Sequence, residues 1–383
     1  MEHHRNILHI ISVSFSINYF FGDQFRYLKK KTGNTYFLGC SPSKELDYLS
    51  ESLQFEKLEV EITRSISPIK DLKAIFQIYK FIKKNNIETV VGHTPKGGMV
   101  AMIAAFLAGV SHRIYFRHGI VYETSKGLKR FLLLNIDRLS GNLANQVVCV
   151  SNAVRKISVQ DALNSPKKNI ILGLGTCSGV DTDGKYNPLL VSNVHSENLK
   201  KELNIKKDDI VIGFVGRIVR DKGLNDLVQA WQILQAKYDN IKLLLVGPIE
   251  ERDSISDEAK SEIESNRTII HTGFVLHSSP YFSLMDVFVL PTYREGFPTV
   301  TLEASSMGIP VVTTYATGCE ESIIENQTGV FTKNDYRDMA SKISNYIDNE
   351  ALRRAHGRQG REFVRANFEQ QKIWDIISEK LNY

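Results

Sequence analysis

The residues that could do chemistry in this 383-residue sequence gather around a few loop-like stretches, and the densest is Pro291–Val312, PTYREGFPTVTLEASSMGIPVV. Glu295 stands in its loop and Glu303 follows eight positions later. The apolar run FVLP before it reads as a short strand. Arg294, Gly296 and Pro298 break periodicity, and helical spacing resumes at Val300, Leu302, Ala304 and Met307. A loop therefore feeds a helix N-terminus. There the backbone N–H groups of Thr299, Val300 and Thr301 lack intrahelical partners, and the aligned peptide dipoles favour an anion. Two carboxylates flanking a phosphate seat match the layout of a sugar nucleotide: hexose, diphosphate, ribose. A solvated turn beside a carboxylate that complements the helix dipole would present the same pair, so the surroundings have to decide.

A second constellation lies upstream. The buried-type strand Asp209–Val215 runs into Gly216-Arg217-Ile218-Val219-Arg220-Asp221-Lys222-Gly223, and the helical pattern LNDLVQAWQILQAKY follows. Two glycines bracket a turn that bears three cations. Such a turn can cradle a diphosphate with backbone N–H groups while Arg217 and Lys222 neutralise it. It is neither the dinucleotide fingerprint nor a Walker A loop, and a basic surface turn is the plain alternative.

The first half offers two further turns. Thr89-Val90-Val91 reads as a strand ending in His93-Thr94-Pro95-Lys96-Gly97-Gly98, and Arg113–Phe116 as a strand ending in Arg117-His118-Gly119. Open α/β sheets bind ligands at the C-terminal ends of their strands. His93, Lys96 and Gly97 are therefore candidates for an acceptor loop. His118 is a candidate for the reacting end, against the common case of a histidine that only hydrogen-bonds within the fold. Arg113 and Arg117 are either surface charges or partners for an acceptor phosphate.

The elements that must hold these turns alternate. Strands at Asn6–Ile11, Thr35–Leu38 and Leu58–Ile62, helices through Phe25–Lys31 and Pro68–Lys84, and a helix through MVAMIAAFLAGV make the first half an α/β pattern, and the second half repeats it. Between them GLGTCSGVDTDGKYNP collects Gly, Asp, Asn and Pro, which marks a hinge with a boundary near residue 185. The length fits about two domains. With 42% hydrophobic and 24% charged residues the chain is globular, and a net charge of +5 suits anionic partners. No basic helix with interleaved aromatics appears, so nucleic acid is not an expected partner. Cys40, Cys149, Cys177 and Cys319 form no C-x-x-C pair, which points away from zinc and disulfides and toward a reducing compartment. The N-terminal apolar run reads as a strand, no window of about 18 apolar residues occurs, and a cytoplasmic protein follows. The segment Lys126–Leu139, KGLKRFLLLNIDRL, combines cations with an apolar run. It is either a helix lying on an anionic membrane, peripheral on the cytoplasmic face of the inner membrane, or a sheet-covering helix with a basic rim.

Taken together, Gly216-Arg217 with Lys222-Gly223, then Glu295-Gly296-Phe297-Pro298 with Glu303, resemble the donor site of retaining GT-B glycosyltransferases of the large family 4. The resemblance spans nearly the whole chain. It implies two Rossmann-like α/β domains with a deep interdomain cleft: an acceptor domain over 1–185, a donor domain over 186–365, and a C-terminal helix over 366–383 that crosses back. It also implies roles. Arg217 and Lys222 grip the diphosphate, Glu295 meets donor-sugar hydroxyls, Glu303 bonds the ribose, Phe274 backs the nucleobase, and His118 faces the donor sugar. Gly216, Gly296, Phe297, Pro298, Thr299 and Val300 complete the donor set. HTPKGG, RHG and the pattern Gly173–Asp181 resemble transferases of capsule, O-antigen or exopolysaccharide assembly, whose acceptors are sugars on a polyprenyl diphosphate. The chain departs from relatives with a Gly-Gly pair after strand one, carrying Ser14-Phe15-Ser16-Ile17-Asn18 instead, so Ser16 is open to an acceptor role. Cys319 stands where the family usually has a small residue.

The expectation is transfer with retention of configuration from a nucleotide sugar, UDP-linked, to a hydroxyl of a lipid-linked or free glycan. Arg217, Lys222 and the helix N-terminus stabilise the leaving diphosphate, and no cofactor or metal is expected. Asp181-Thr182-Asp183 matches D-x-D formally but falls in the hinge, where Asp is a turn residue. Two alternatives stay open: a UDP-N-acetylhexosamine 2-epimerase, which shares the architecture, and a non-catalytic partner subunit, against which the presence of all four donor residues argues.

Overall fold

A computed structural model describes residues 4–63 and 67–383. The chain forms two compact units, one made of the residues up to Gly179 together with Gln370–Tyr383, the other of Val180–Glu369. The boundaries read from the sequence stood at 185 and 365.

The first unit is a seven-stranded sheet with β1 (Asn6–Ile10), β2 (Thr35–Cys40), β3 (Glu56–Glu59), β4 (Thr89–His93), β5 (His112–Arg117), β6 (Gln146–Cys149) and β7 (Asn169–Ile170), in the order β3-β2-β1-β4-β5-β6-β7. All its pairings are parallel. Parallel strands need crossovers that cover both faces, which is why β1 and β4 read as continuous apolar runs. The helix Pro95–Leu107 is apolar nearly all round and buries most of its residues. At Gly98 a Cβ would run into the Tyr115 ring, so glycine is what lets helix and sheet approach. The C-terminal helix Gln370–Lys380 belongs to this unit. Ile373, Trp374 and Ile377 enter its core, and Asp375 accepts from Tyr27 Oη at 2.7 Å and pairs with Lys31.

One strand differs from its reading. The sequence points to Leu58–Ile62, whereas the edge ladder is Glu56–Glu59, paired with Phe37–Cys40. Val60 and Ile62 are buried as alternation requires, but Ile62 N–H donates to Ser41 Oγ at 2.9 Å and so leaves the ladder.

The second unit has six parallel strands, β8 (Ile210–Val215), β9 (Ile241–Val246), β10 (Ile269–His271), β11 (Val287–Leu290), β12 (Val311–Thr314) and β13 (Gly329–Thr332), in the order β10-β9-β8-β11-β12-β13. β13 has no counterpart in the sequence reading, because a four-residue run with only one large side chain gives little periodicity. Helix capping follows the sequence closely. Ser151, Ser192, Ser256, Asp335 and Asn349 each accept from a backbone N–H of the first turn that follows. In each sheet the strand order reverses at one place, β1 beside β4 and β8 beside β11. Loops leaving such a switch point in opposite directions open a crevice at the strands' C-terminal ends.

Candidate functional site

Both constellations of the second unit fall at the β8/β11 switch point. After β8 the chain makes a 3-10 turn, Arg220–Lys222, which ends on Gly223 in the left-handed region at φ +73°. A Cβ at Gly223 would overlap the Pro291 carbonyl, and one at Gly247 the Gly216 carbonyl, so the turn is pressed against the ends of both flanking strands. Gly216 N–H donates to Val246 O at 2.9 Å and Ile218 N–H to Pro248 O at 2.8 Å, which fixes its path.

This geometry brings Lys222 and Glu295 together. They form an ion pair, with side chains 21% and 13% exposed. Beside them Arg294 pairs with Asp221 at 2.8 Å, and Tyr293 N–H donates to Asp221 O at 3.0 Å, so the loop after β11 is strapped to the turn after β8. Arg217 turns outward, 53% exposed, and pairs with Glu250 at 2.8 Å. Asp221, Glu250 and Arg294 escaped the sequence reading as site residues. For Glu250 the usable signal was a carboxylate just past Gly247-Pro248, at the end of the strand next to the cationic turn.

The helix Thr299–Ser306 begins at Pro298, which offers no side-chain cap. Thr301 corrects the expectation of three open donors: its N–H donates to Pro298 O at 3.1 Å and its hydroxyl to the same oxygen at 2.6 Å. A Thr in the first turn can close on the cap carbonyl by itself. Among the described residues the N–H groups of Thr299 and Val300 have no protein partner. Glu303 is half-buried. Burial raises its carboxyl pKa above the usual range, while Lys185 and a hydrogen bond from Tyr186 act the other way. Neither Lys185 nor Tyr186 was singled out from sequence. Phe297 packs on Phe368 at 5.5 Å between ring centroids, and Gly296 O lies where a Cβ at Gly318 would fall. Phe274, after β10, is 70% exposed. Cys319 is a buried turn residue whose N–H donates to Ala316 O at 2.9 Å, and burial raises its thiol pKa.

No group of three or more His, Cys, Asp or Glu side chains among the described residues could hold a metal ion. The D-x-D carboxylates are turn groups: Asp181 accepts from the N–H of Gly184 and of Lys185, each at 2.8 Å, and Asp183 pairs with Arg365 at 3.2 Å. The four cysteines are free.

The first unit requires three corrections. Arg117 is completely buried. Its guanidinium donates to Asp137 at 3.0 Å, Ser158 Oγ at 2.6 Å and Asn164 Oδ1 at 3.0 Å, so it holds the helix Gly127–Leu143 to the sheet and is not available to an acceptor phosphate. Its place at a strand end concealed that the side chain turns inward. Lys96 is likewise buried and paired with Asp71. Gly97 lies in helix Pro95–Leu107, and a Cβ there would come within 3.2 Å of Ile10 O, so it is a packing glycine. The presumed HTPKGG loop is a helix start. His93 is buried and half-buried His118 hydrogen-bonds to it, while half-buried Ser16 ends a 3-10 turn, Ser14–Ser16, beyond β1. Arg113 donates to Leu143 O at 2.7 Å. The helix Gly127–Leu143 exposes Leu128, Phe131, Leu132 and Leu139, so its outer face is apolar as well as basic. No helix among the described residues is long and apolar enough to cross a membrane.

Known proteins agree with this arrangement. Residues 195–363 match the family described as glycosyl transferases group 1, and residues 9–151 match glycosyl transferase 4-like. Over 379 residues, 99% of this chain and 97% of the relative, the sequence is 32% identical to the capsular polysaccharide biosynthesis glycosyltransferase CapM of Staphylococcus aureus. It is 26% identical over 326 residues, 82% of this chain and 80% of the relative, to the UDP-Gal:alpha-D-GlcNAc-diphosphoundecaprenol alpha-1,3-galactosyltransferase of Escherichia coli. The crystal structure of Anabaena Alr3699/HepE in complex with UDP-glucose has the same fold, with a TM-score of 0.82 at 18% identity over 99% of this chain and all of that one. Two parallel switch-point sheets with these relatives define the GT-B class of glycosyltransferases. Within it, the chain belongs to the group 1, glycosyl transferase 4-like family.

Proposed function

We propose that the protein transfers a hexose or N-acetylhexosamine, with retention of anomeric configuration, from a UDP-sugar to a hydroxyl of a polyprenyl-diphosphate-linked glycan in bacterial surface-polysaccharide assembly. The observation that carries this is the Lys222–Glu295 pair at the β8/β11 switch point, flanked by Arg217 and by the open N–H groups of Thr299 and Val300. A diphosphate in that seat meets two cations and a helix N-terminus. As the bond between the anomeric carbon and the diphosphate breaks, negative charge gathers on the leaving group, and donors already in place stabilise it without reorganisation. Glu295 keeps Lys222 extended beforehand and is itself an acceptor for sugar hydroxyls. Glu303, one helical turn past the phosphate seat, is the acceptor for the ribose. The acceptor class follows the Escherichia coli relative, whose name carries a diphosphoundecaprenol acceptor, and the surface-polysaccharide setting follows the capsular relative. The apolar and basic face of Gly127–Leu143 suits a lipid-linked acceptor at an anionic membrane.

A thermal-shift titration with UDP, GDP and ADP tests the donor assignment. Binding to the folded state alone adds about 2.7 kcal/mol of stability at a hundredfold excess over Kd. UDP should stabilise the protein and the Arg217→Ala variant should lose the shift. No shift with any of the three would overturn the reading.

A further inference from the structure

Three imidazoles stand in line at the switch point of the first unit. His9, in β1, is buried, and its Nδ1 lies 3.0 Å from Nε2 of His93 at the end of β4. Nδ1 of His93 lies 3.0 Å from Nε2 of His118, just past β5. The His9 and His93 rings stack at 5.3 Å with 15° between their planes, and His93 stacks on Phe116 at 4.7 Å. At the inner end, His9 Nε2 is buried without a partner. The His9 ring packs edge to face with Phe21 at 5.4 Å, Phe25 at 5.0 Å and Tyr383 at 5.9 Å between centroids and lies tilted to Tyr36 at 6.3 Å, with Tyr383 Oη also unpartnered. At the outer end, Nδ1 of His118 has no partner among the described residues.

A neutral imidazole carries one donor and one acceptor. His93 must therefore donate to one neighbour and accept from the other, and both links run the same way. Two arrangements satisfy this. With all three rings protonated on Nδ1, His118 presents an N–H and His9 buries a lone pair at Nε2. With all three protonated on Nε2, His118 presents a lone pair at Nδ1 and His9 buries an N–H among aromatic rings. The second is favoured on two grounds. An aromatic face accepts an N–H and repels a lone pair, and neither phenol packed beside His9 donates to it: Tyr383 Oη is unpartnered and Tyr36 Oη pairs with Thr32 Oγ1 at 3.5 Å. Each ring then also holds the tautomer that neutral histidine prefers in isolation. Burial keeps the chain uncharged: it pushes His9 and His118 down to about 3 and lowers His93 as well, with His9 and His118 adding to the effect on His93.

We propose that His9 and His93 are positioning residues that lock His118 as the neutral Nε2–H tautomer, so that the atom it offers a ligand is the Nδ1 lone pair. Such a group accepts from a hydroxyl and repels a phosphate oxygen. It thereby selects the polyol part of a substrate over its anionic part. What His118 meets rests on the glycosyltransferase reading above; which nitrogen it offers does not.

The test is long-range proton–nitrogen NMR on the full chain labelled with 15N-histidine, with His118 assigned by the signals missing from His118→Asn. The wild-type protein should show His118 Nε2 as a pyrrole-type nitrogen and Nδ1 as a pyridine-type nitrogen, in one tautomer. In His93→Phe, which keeps the ring stack and removes both hydrogen bonds, the two His118 resonances should move toward the average of a tautomer mixture. A pyrrole-type Nδ1 in the wild type, or an unchanged His118 spectrum in a folded His93→Phe, would overturn the proposal. The urea unfolding transition reports whether the first unit of the variant is folded, and a separate test of the donor reading is the UDP-induced thermal shift, whose residues lie in the second unit. Its absence from the wild type would count against the donor reading and leave the tautomer result standing. Should His93→Phe fail to fold, the wild-type spectrum alone decides.

Discussion

The two units share a parallel sheet and a strand-order reversal, yet they equip the two switch points with opposite chemistry. At β8/β11 the side chains are charged and held in pairs: Lys222 with Glu295, Arg294 with Asp221, Arg217 with Glu250. At β1/β4 they are neutral rings in a hydrogen-bonded file, while two cations near the strand ends of that half, Arg117 and Lys96, are turned inward to Asp137 and Asp71. The difference teaches what each switch point is equipped to meet. A site for a diphosphate must store positive charge before the ligand arrives, and carboxylates hold that charge in place at low desolvation cost. A site for hydroxyls needs directional acceptors and gains from excluding charge. Ion pairs can therefore mean structure in one unit and readiness in the other, and burial tells them apart.

The largest expected effect follows from that distinction. Arg117→Met should destabilise the first unit by about 3–5 kcal/mol in urea unfolding, because it leaves Asp137 buried without its partner. Normal stability with lost activity would instead return Arg117 to substrate binding. Lys222→Ala belongs on the other side of the comparison. It should lower kcat about 100- to 1000-fold, the scale of a lost transition-state donor, and retained turnover with a UDP-sugar and lipid-linked acceptor would remove Lys222 from the mechanism.

How far the sequence could be read follows the same line. Alternating strands and the glycine-bracketed turn Gly216–Gly223 were visible because they are local: their physics lies within a few residues. The side chains' directions were not. Arg117 and His118 are adjacent, and only the alternation of a strand, together with Asp137 twenty residues away, sends the first into the core and leaves the second at the edge. Thr301 looked like an open donor because its own hydroxyl and the Pro298 carbonyl were not weighed. Glu250 was signalled only by its place just past Gly247-Pro248, because it takes two neighbouring strands to bring it to Arg217.

A third prediction uses acid to separate the units. Burial holds His9 and His118 down to about 3 in the folded chain, against the ordinary 6.5 of an exposed histidine in the unfolded one. Below 6.5 the unfolded chain takes up protons that the folded chain refuses, so this stability is fully present above 6.5 and is lost as pH falls toward 3. Each histidine should contribute a slope of about 1.4 kcal/mol per pH unit once well below 6.5. Carboxylates with lowered pKa, such as Asp335 under the N–H groups of Asp338 and Arg337, act only at lower pH. Urea midpoints measured from pH 7 to 5 should therefore fall for the first unit, and His9→Phe should flatten the slope. An unchanged slope in that variant would mean that the imidazole chain is not what makes the unit acid-sensitive.

The smallest effect probes whether the charges at β8/β11 are stored for a ligand. Arg217 is half exposed, so its pair with Glu250 contributes at most about 1 kcal/mol to folding, and Glu250→Gln should leave the unfolding midpoint nearly unchanged. The ligand should respond in the opposite sense. A guanidinium that no longer has to leave a carboxylate binds diphosphate more readily, so UDP affinity should rise by up to about fivefold, the equivalent of that same 1 kcal/mol. Calorimetric titration of UDP into the two proteins reads the difference directly. Weaker binding in the variant would show that Glu250 orients Arg217 toward the ligand instead of holding it back, and the pair would then count as structure, as Arg117–Asp137 does in the first unit.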